Sequence, residues 1–261
     1  MLLTIDVGNT NIVFAVFAEE ECVLESRIDT NSARMADQYA IMLGDIMRLY
    51  NVDVSAVTGS IISSVVPPVT RQVVLAVECL CKITPLIVES GIKTGLNIKI
   101  DNPADLGADL VCGAVAAKTL YKCPCIAIDM GTVTKVMALG KDGALLGGVL
   151  CPGVGMGFKS MANSTALLPL VSGNKAEKVI GTNTTDCISG GIIYGTACML
   201  DGLIDRFEAE IGESCTVVAT GGFSEVIVPN CKREIEVDKS LVSQGLRIIY
   251  KRNLDSAKNR V

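Results

Sequence analysis

The sequence predicts an α/β protein built from two similar lobes, and three observations carry that prediction. Hydrophobic residues make up 49% and charged residues 20% of the 261 positions, a globular balance with length for substantial cores. Apolar runs of strand length alternate with stretches of helical periodicity along the chain. One short pattern also occurs once in each half. Residues 2–5 run into Asp6-Val7-Gly8-Asn9-Thr10, and Ile126-Ala127-Ile128 run into Asp129-Met130-Gly131-Thr132.

The elements follow in order. Residues 2–6 and 12–17 read as a strand pair around the Asp6 turn. Residues 36–49 place Tyr39, Met42, Leu43, Ile46 and Leu49 at helical spacing. A buried strand is expected at 56–63, ending in Ser63-Ser64-Val65-Val66-Pro67-Pro68, then a helix at 70–81 and a short strand at 85–89. Strands separated by helices indicate a mainly parallel, covered sheet. Asn102-Pro103 opens a new element that continues through Gly107-Ala108-Asp109 into an apolar helix at 110–120. The second half repeats the scheme. Strands are expected at 126–129, 134–139 and 144–150, with turns at Gly131 and Lys141-Asp142-Gly143. Helices are expected at 158–167, 186–211 and 240–251, a strand at 216–219, and a polar tail after Arg252. The lobes divide at 1–117 and 118–261.

Composition excludes several functions. A net charge of −5 leaves no overall basic face for nucleic acid. The apolar stretch 61–69 is broken by Pro67-Pro68 and falls short of the ~20 residues of a spanning helix. The N-terminus enters the Asp6 motif with no basic region before it, unlike a signal peptide. A cytoplasmic protein with no membrane partner is the expectation. The eleven cysteines lack Cys-x-x-Cys spacing and read as small buried residues in a reducing compartment. With no histidine in the chain, Ser-His-Asp and Cys-His catalysis are excluded. General-base work falls to Asp, Glu, Lys, Tyr or Cys.

The repeated turn suits a phosphate. Glycine lets backbone N–H groups approach closely, Thr and Asn add neutral donors, and a neighbouring carboxylate can hold a hydrated metal ion. One such turn is weak evidence, but two copies suggest two lobes closing on one nucleotide. Gly107-Ala108-Asp109 puts a carboxylate near a helix start, where a capping role alone would explain it. Ala219-Thr220-Gly221-Gly222 ends an apolar strand in two glycines, either a plain turn or a close approach to a base or ribose. Gly147-Gly148 and Pro152-Gly153 are likewise turns or a nucleotide-facing loop. Neither the Walker A pattern nor the dinucleotide fingerprint is present.

In this order the segments resemble the type III pantothenate kinases over nearly the whole chain. The series continues with Ile180-Gly181-Thr182-Asn183-Thr184, Ser189-Gly190, Asp201-Gly202 and Gly245-Leu246-Arg247-Ile248-Ile249-Tyr250. The resemblance implies two actin-like (ribonuclease H-like) lobes with mixed sheets flanked by helices and a nucleotide cleft between them. It implies a homodimer and ATP-dependent phosphorylation of pantothenate to 4'-phosphopantothenate, the first step toward coenzyme A. By that resemblance Asp6 organises hydrated Mg²⁺, with Gly8, Asn9 and Thr10 lining the loop. Asp109 is the base at the primary hydroxyl of pantothenate. Asp129 serves the second phosphate turn, with Gly131 and Thr132, and a monovalent cation, K⁺ or NH₄⁺. Gly221 and Gly222 lie against the adenosine. Ile100, Gly107, Ala108 and Leu110 fall at substrate positions, and Thr184 reaches the substrate of the neighbouring subunit.

The chain departs from the family pattern at three positions. Leu110 stands where Arg usually follows Gly-Ala-Asp, Ile100 where Tyr is common, and Lys135 where Thr usually follows Thr134. Two alternatives therefore stand beside the kinase: a diverged kinase for another small alcohol, and a non-catalytic regulator. Retention of Asp6, Asp109 and Asp129 favours chemistry.

Overall fold

The computed structural model describes residues 1–171, 173 and 175–258, with side chains up to residue 255. The chain separates into two compact units. The first comprises 1–96, 102–116 and 240–261, and the second 97–101 and 117–239. This differs from a simple split at 117/118 in Ala117 and in the segments 97–101 and 240–261.

The first unit is built on strands β1 (Leu2–Val7), β2 (Asn11–Ala18), β3 (Glu21–Asp29), β4 (Gly59–Ser64) and β5 (Leu86–Ile87). Their order is β3-β2-β1-β4-β5. The sheet is mixed rather than mainly parallel. β1, β2 and β3 meander antiparallel through tight turns, whereas β4 and β5 join β1 in parallel after helical crossovers. Alternation along β1 fixes its two faces. Leu3, Ile5 and Val7 pack on helices α1 (Ala36–Leu49) and α2 (Pro67–Cys81) through Tyr39, Leu43, Val69 and Val73. That leaves Thr4 and Asp6 on the opposite face, where Ile61 clusters with helices α3 (Ala108–Leu120) and α7 (Leu241–Lys258).

The C-terminal helix α7 returns to this first sheet for reasons visible in its sequence. A Cβ on Gly245 would run into the Cys112 carbonyl, so only glycine lets α7 approach α3 this closely. Leu246 and Ile249 are fully buried, and the Tyr250 ring occupies the space that a side chain at Gly59 would fill. The segment 245–250 thus has a packing role.

The second unit repeats the plan with β6 (Cys125–Met130), β7 (Val133–Leu139), β8 (Leu145–Pro152), β9 (Thr216–Thr220) and β10 (Glu236–Val237). The order β10-β9-β6-β7-β8 reproduces the first sheet strand for strand, again with antiparallel hairpins and parallel crossovers. Helices α4 (Val154–Asn163), α5 (Thr184–Ile211) and α6 (Ser224–Ile227) cover it. Ile126, Ile128 and Met130 pack with Phe158, Ile193 and Leu200.

Helix α5 alone among the described residues is long and apolar enough to cross a membrane, which the sequence reading had not credited to any segment. Its inner face, Ile188, Ile193, Ala197, Leu200 and Ile204, lies in this core, while 39% of its most apolar window is buried.

Candidate functional site

In the first unit four polar side chains converge on the α3/α7 face of the sheet. Asp6, near the carboxyl end of β1, pairs in register with Ser63 on β4, so both project to the same face. Cys112, one turn into α3, is fully buried beside them. Burial pushes its thiol well above the usual range. The Asp6 carboxylate adds to the push, the Ser63 hydroxyl opposes it, and Asp109 adds a smaller push. Asp6 from β1 and Asp109 from α3 thus both lie on the side of the sheet where Cys112 is buried.

Asp109 sits in the first turn of α3, not at the cap position. Its Oδ1 accepts the Leu110 N–H at 2.8 Å, which satisfies one of the helix's initial donors. An ideal Cβ on Gly107 would lie 2.7 Å from that same oxygen and 3.5 Å from Val65. Glycine is needed here for space, because any side chain would displace the Asp109 carboxylate. Ala108 and Leu110 flank Asp109 on the half-buried start of the helix.

The turn after β1 is held from both ends by a residue without any motif signature. The Thr30 hydroxyl donates to the Gly8 carbonyl at 2.6 Å, and its N–H donates to the Thr10 carbonyl at 2.9 Å. Asn9 and Thr10 remain exposed. Thr30, Ser63 and Cys112 had not been picked out from sequence. Each is an ordinary residue in strand, loop or helix, and strand register or long-range packing brings it to the site.

The second unit gathers its own set at the carboxyl ends of β6 and β9. Asp129 is the penultimate residue of β6, opposite Thr220 on β9 and Lys135 on β7. Gly221 follows β9 with φ +93°, and a Cβ there would lie 2.6 Å from the Met130 carbonyl carbon. Gly222 beside it is exposed. Gly153 closes on the other side, where a Cβ would run into the Thr132 carbonyl. Gly131, Thr132, Gly153 and Gly221 thus form one backbone-rich surface next to Asp129. Ile100 lies in the segment 97–101, which pairs alongside Leu145 of β8. Thr184 is the exposed first residue of α5, whose Asn183 cap accepts the Asp186 N–H at 2.9 Å.

Among the described residues no cluster of three or more His, Cys, Asp or Glu could hold a metal ion. The Asp6 site fits Mg²⁺ nonetheless, because Mg²⁺ keeps several waters and is held by one or two carboxylates plus substrate phosphates. The expected monovalent cation at Asp129 does not fit in the same way. Lys135 Nζ donates to Asp129 Oδ2 at 2.8 Å, so the chain's own ammonium occupies the position beside that carboxylate.

Comparisons with known proteins identify the family of the chain. The family model for type III pantothenate kinase matches residues 2–206. The chain is 37% identical to the type III pantothenate kinase of Moorella thermoacetica over 253 residues, covering 97% of this chain and 100% of that one. It is also 37% identical to the type III pantothenate kinase of Koribacter versatilis over 270 residues, covering 100% of this chain and 98% of the other. Among solved structures it resembles (R)-2-hydroxyglutaryl-CoA dehydratase component A from Acidaminococcus fermentans, at TM-score 0.57 and 17% identity over 95% and 96% of the two chains. At that identity the likeness concerns the fold, which is actin-like. With two doubled sheets, paired Asp-Gly turns and full-length similarity all in agreement, the chain belongs to the type III pantothenate kinase family.

Proposed function

We propose that the chain phosphorylates pantothenate with ATP to give 4'-phosphopantothenate, with Asp109 as the catalytic base. The observation that carries the assignment is a pair of placed carboxylates in the first unit, Asp6 in register with Ser63 near the end of β1 and Asp109 anchored to the Leu110 N–H at the start of α3. Phosphoryl transfer requires neutralised phosphates, an in-line hydroxyl and a route for its proton. Asp109 accepts the proton of the pantothenate hydroxyl as that oxygen bonds to the γ-phosphorus and the bond to ADP breaks. An aspartate carboxylate has the oxygen acceptor that this late, loose role requires. Gly107 keeps the carboxylate in place, and its bond to the Leu110 N–H fixes its orientation.

Asp6 would hold a hydrated Mg²⁺, which would supply neutralisation of phosphate charge. Gly8, Asn9 and Thr10 present the first turn to the phosphates, with Thr30 fixing the loop. Gly131 and Thr132 form the second turn, and Gly221 and Gly222 offer a side-chain-free surface to the adenosine. Gly107, Ala108 and Leu110 border the pantothenate.

The working form is a homodimer in which Thr184 reaches the partner's substrate. Supporting this, Gly191, Gly195 and Gly202 on α5 face open space, and Cys187 and Cys198 beside them are exposed. A stripe of small residues suits close approach of a second helix.

The decisive experiment measures ATP turnover with and without pantothenate and identifies the product by mass. Pantothenate-dependent ADP release with 4'-phosphopantothenate as product is expected. Turnover with another small alcohol in its place would support the diverged-kinase alternative.

A further inference from the structure

Lys135 stands directly opposite Asp129 in the antiparallel β6–β7 ladder. Side chains of such a pair lie on the same face with Cβ atoms close, well within reach of a lysine stem. The ammonium meets Asp129 Oδ2 at 2.8 Å, the length of a charge-assisted hydrogen bond. Both side chains are withdrawn from water, at 18% and 19% exposure. Such a pair is less screened by salt than a surface pair.

The register cannot drift. On the same hairpin Val136 is opposite Ile128 and Thr134 opposite Met130, and all four are buried. A one-residue slip would drive Lys135 into that core and expose the apolar set.

The duplicated fold provides an internal control. β1 and β2 occupy the same places in the first sheet as β6 and β7 in the second. There the residue opposite Asp6 is Val13, which carries no charge. The chain places a fixed cation on one copy of the motif and an apolar residue on the other.

We propose that the Lys135 ammonium serves as a built-in monovalent cation at Asp129, so that the enzyme needs no K⁺ or NH₄⁺ from solution. The proposal rests on the phosphate-binding reading of the Asp129 turn. A bare carboxylate next to that turn would repel the nucleotide phosphates. An ammonium has the charge of K⁺ and a similar size, and tethering it through the backbone removes any dependence on ion concentration. Threonine at this position has no charge and would leave the carboxylate to an exchangeable ion.

The test compares wild type, Lys135→Thr and Lys135→Met in potassium chloride and in choline chloride at matched ionic strength. Wild-type kcat/KM for pantothenate is expected to agree between the two salts within about twofold. Both variants are expected to lose about ten- to a hundredfold in choline, with Lys135→Thr recovering in potassium. A wild-type loss of more than about tenfold in choline overturns the proposal and leaves the kinase assignment standing. If pantothenate is not phosphorylated in any salt, the kinase assignment fails, and thermal melting against potassium concentration decides the lysine's role. Potassium-dependent stabilisation confined to Lys135→Thr supports it, whereas stabilisation of the wild type, or of neither protein, overturns it.

Discussion

Gly107→Ala separates the position of the catalytic carboxylate from its presence. The added methyl would lie 2.7 Å from Asp109 Oδ1, closer than real Cβ contacts allow. Val65 at 3.5 Å on the other side is an ordinary contact, so the strain falls on Asp109. The atom in the way is the end of a short side chain, which relieves the clash by rotating. Little stability is then lost, about 1 kcal/mol or less, as for other changes at helix starts. A rotation that moves Oδ1 by about half an ångström stretches the 2.8 Å bond to the Leu110 N–H to the edge of the normal range and moves the base off the hydroxyl it must reach. Misplacement on the ångström scale costs on the order of 10²-fold in rate, so kcat is expected to fall by about ten- to a hundredfold. ATP affinity by calorimetry and the melting temperature should both stay near wild type. Steady-state ADP release measures the first quantity. If Gly107→Ala turns over like wild type, Asp109 is not held by this contact and the reasoning fails.

The remaining expectations concern neighbouring residues. Asp109→Asn keeps the shape and the Leu110 contact but deletes the proton acceptor, so turnover should drop by about 10²–10⁴ with ATP binding nearly intact. Wild-type turnover in that variant would leave Asp109 as a helix-start residue only. Leu110→Arg should lower KM for pantothenate, since a charge-assisted contact to its carboxylate is worth ~1.5–3 kcal/mol, or one to two decades. No gain with pantothenate would show that this position does not meet the carboxylate. Gly195→Leu should yield monomers by light scattering, because the added side chain fills the open strip on α5 without touching its own core. An unchanged dimer would remove α5 from the interface.

Much of the architecture is legible locally, and the misses have local causes. Helix α1 matches its periodicity end to end. Helix α2 begins three residues before the expected start, because Pro67 and Pro68 occupy first-turn positions that need no N–H donor. Strand β3 escapes notice because Glu21, Glu25, Arg27 and Asp29 break the apolar run, and only Leu24 is buried, as befits a sheet edge. Helix α4 was expected at 158–167 and lies at Val154–Asn163. Gly155 and Gly157 in its first turn lie against Phe223 and Ile192. The paired Asp turns and Gly107-Ala108-Asp109 are legible as motifs. Thr30, Ser63 and Cys112 are not, since each reaches the site through register or long-range packing. The return of α7 to the first sheet is likewise a long-range event, written in Gly245 and Tyr250 but readable only with their contacts in view.

The duplication explains why two similar turns need different surroundings. Each ends its first strand in an aspartate followed by glycine, and each sheet has the same strand order. A divalent ion that arrives with ATP and leaves with ADP needs a carboxylate whose hairpin brings no rival cation, and Val13 opposite Asp6 meets that need. A carboxylate that takes no part in metal exchange is better neutralised permanently, because repulsion of the phosphates would otherwise vary with salt. On the proposed reading, Lys135 opposite Asp129 does this at the expense of ordering one long side chain. The difference between the copies lies in one cross-strand position, which is how a repeated supersecondary unit can acquire two chemical roles while its fold stays the same.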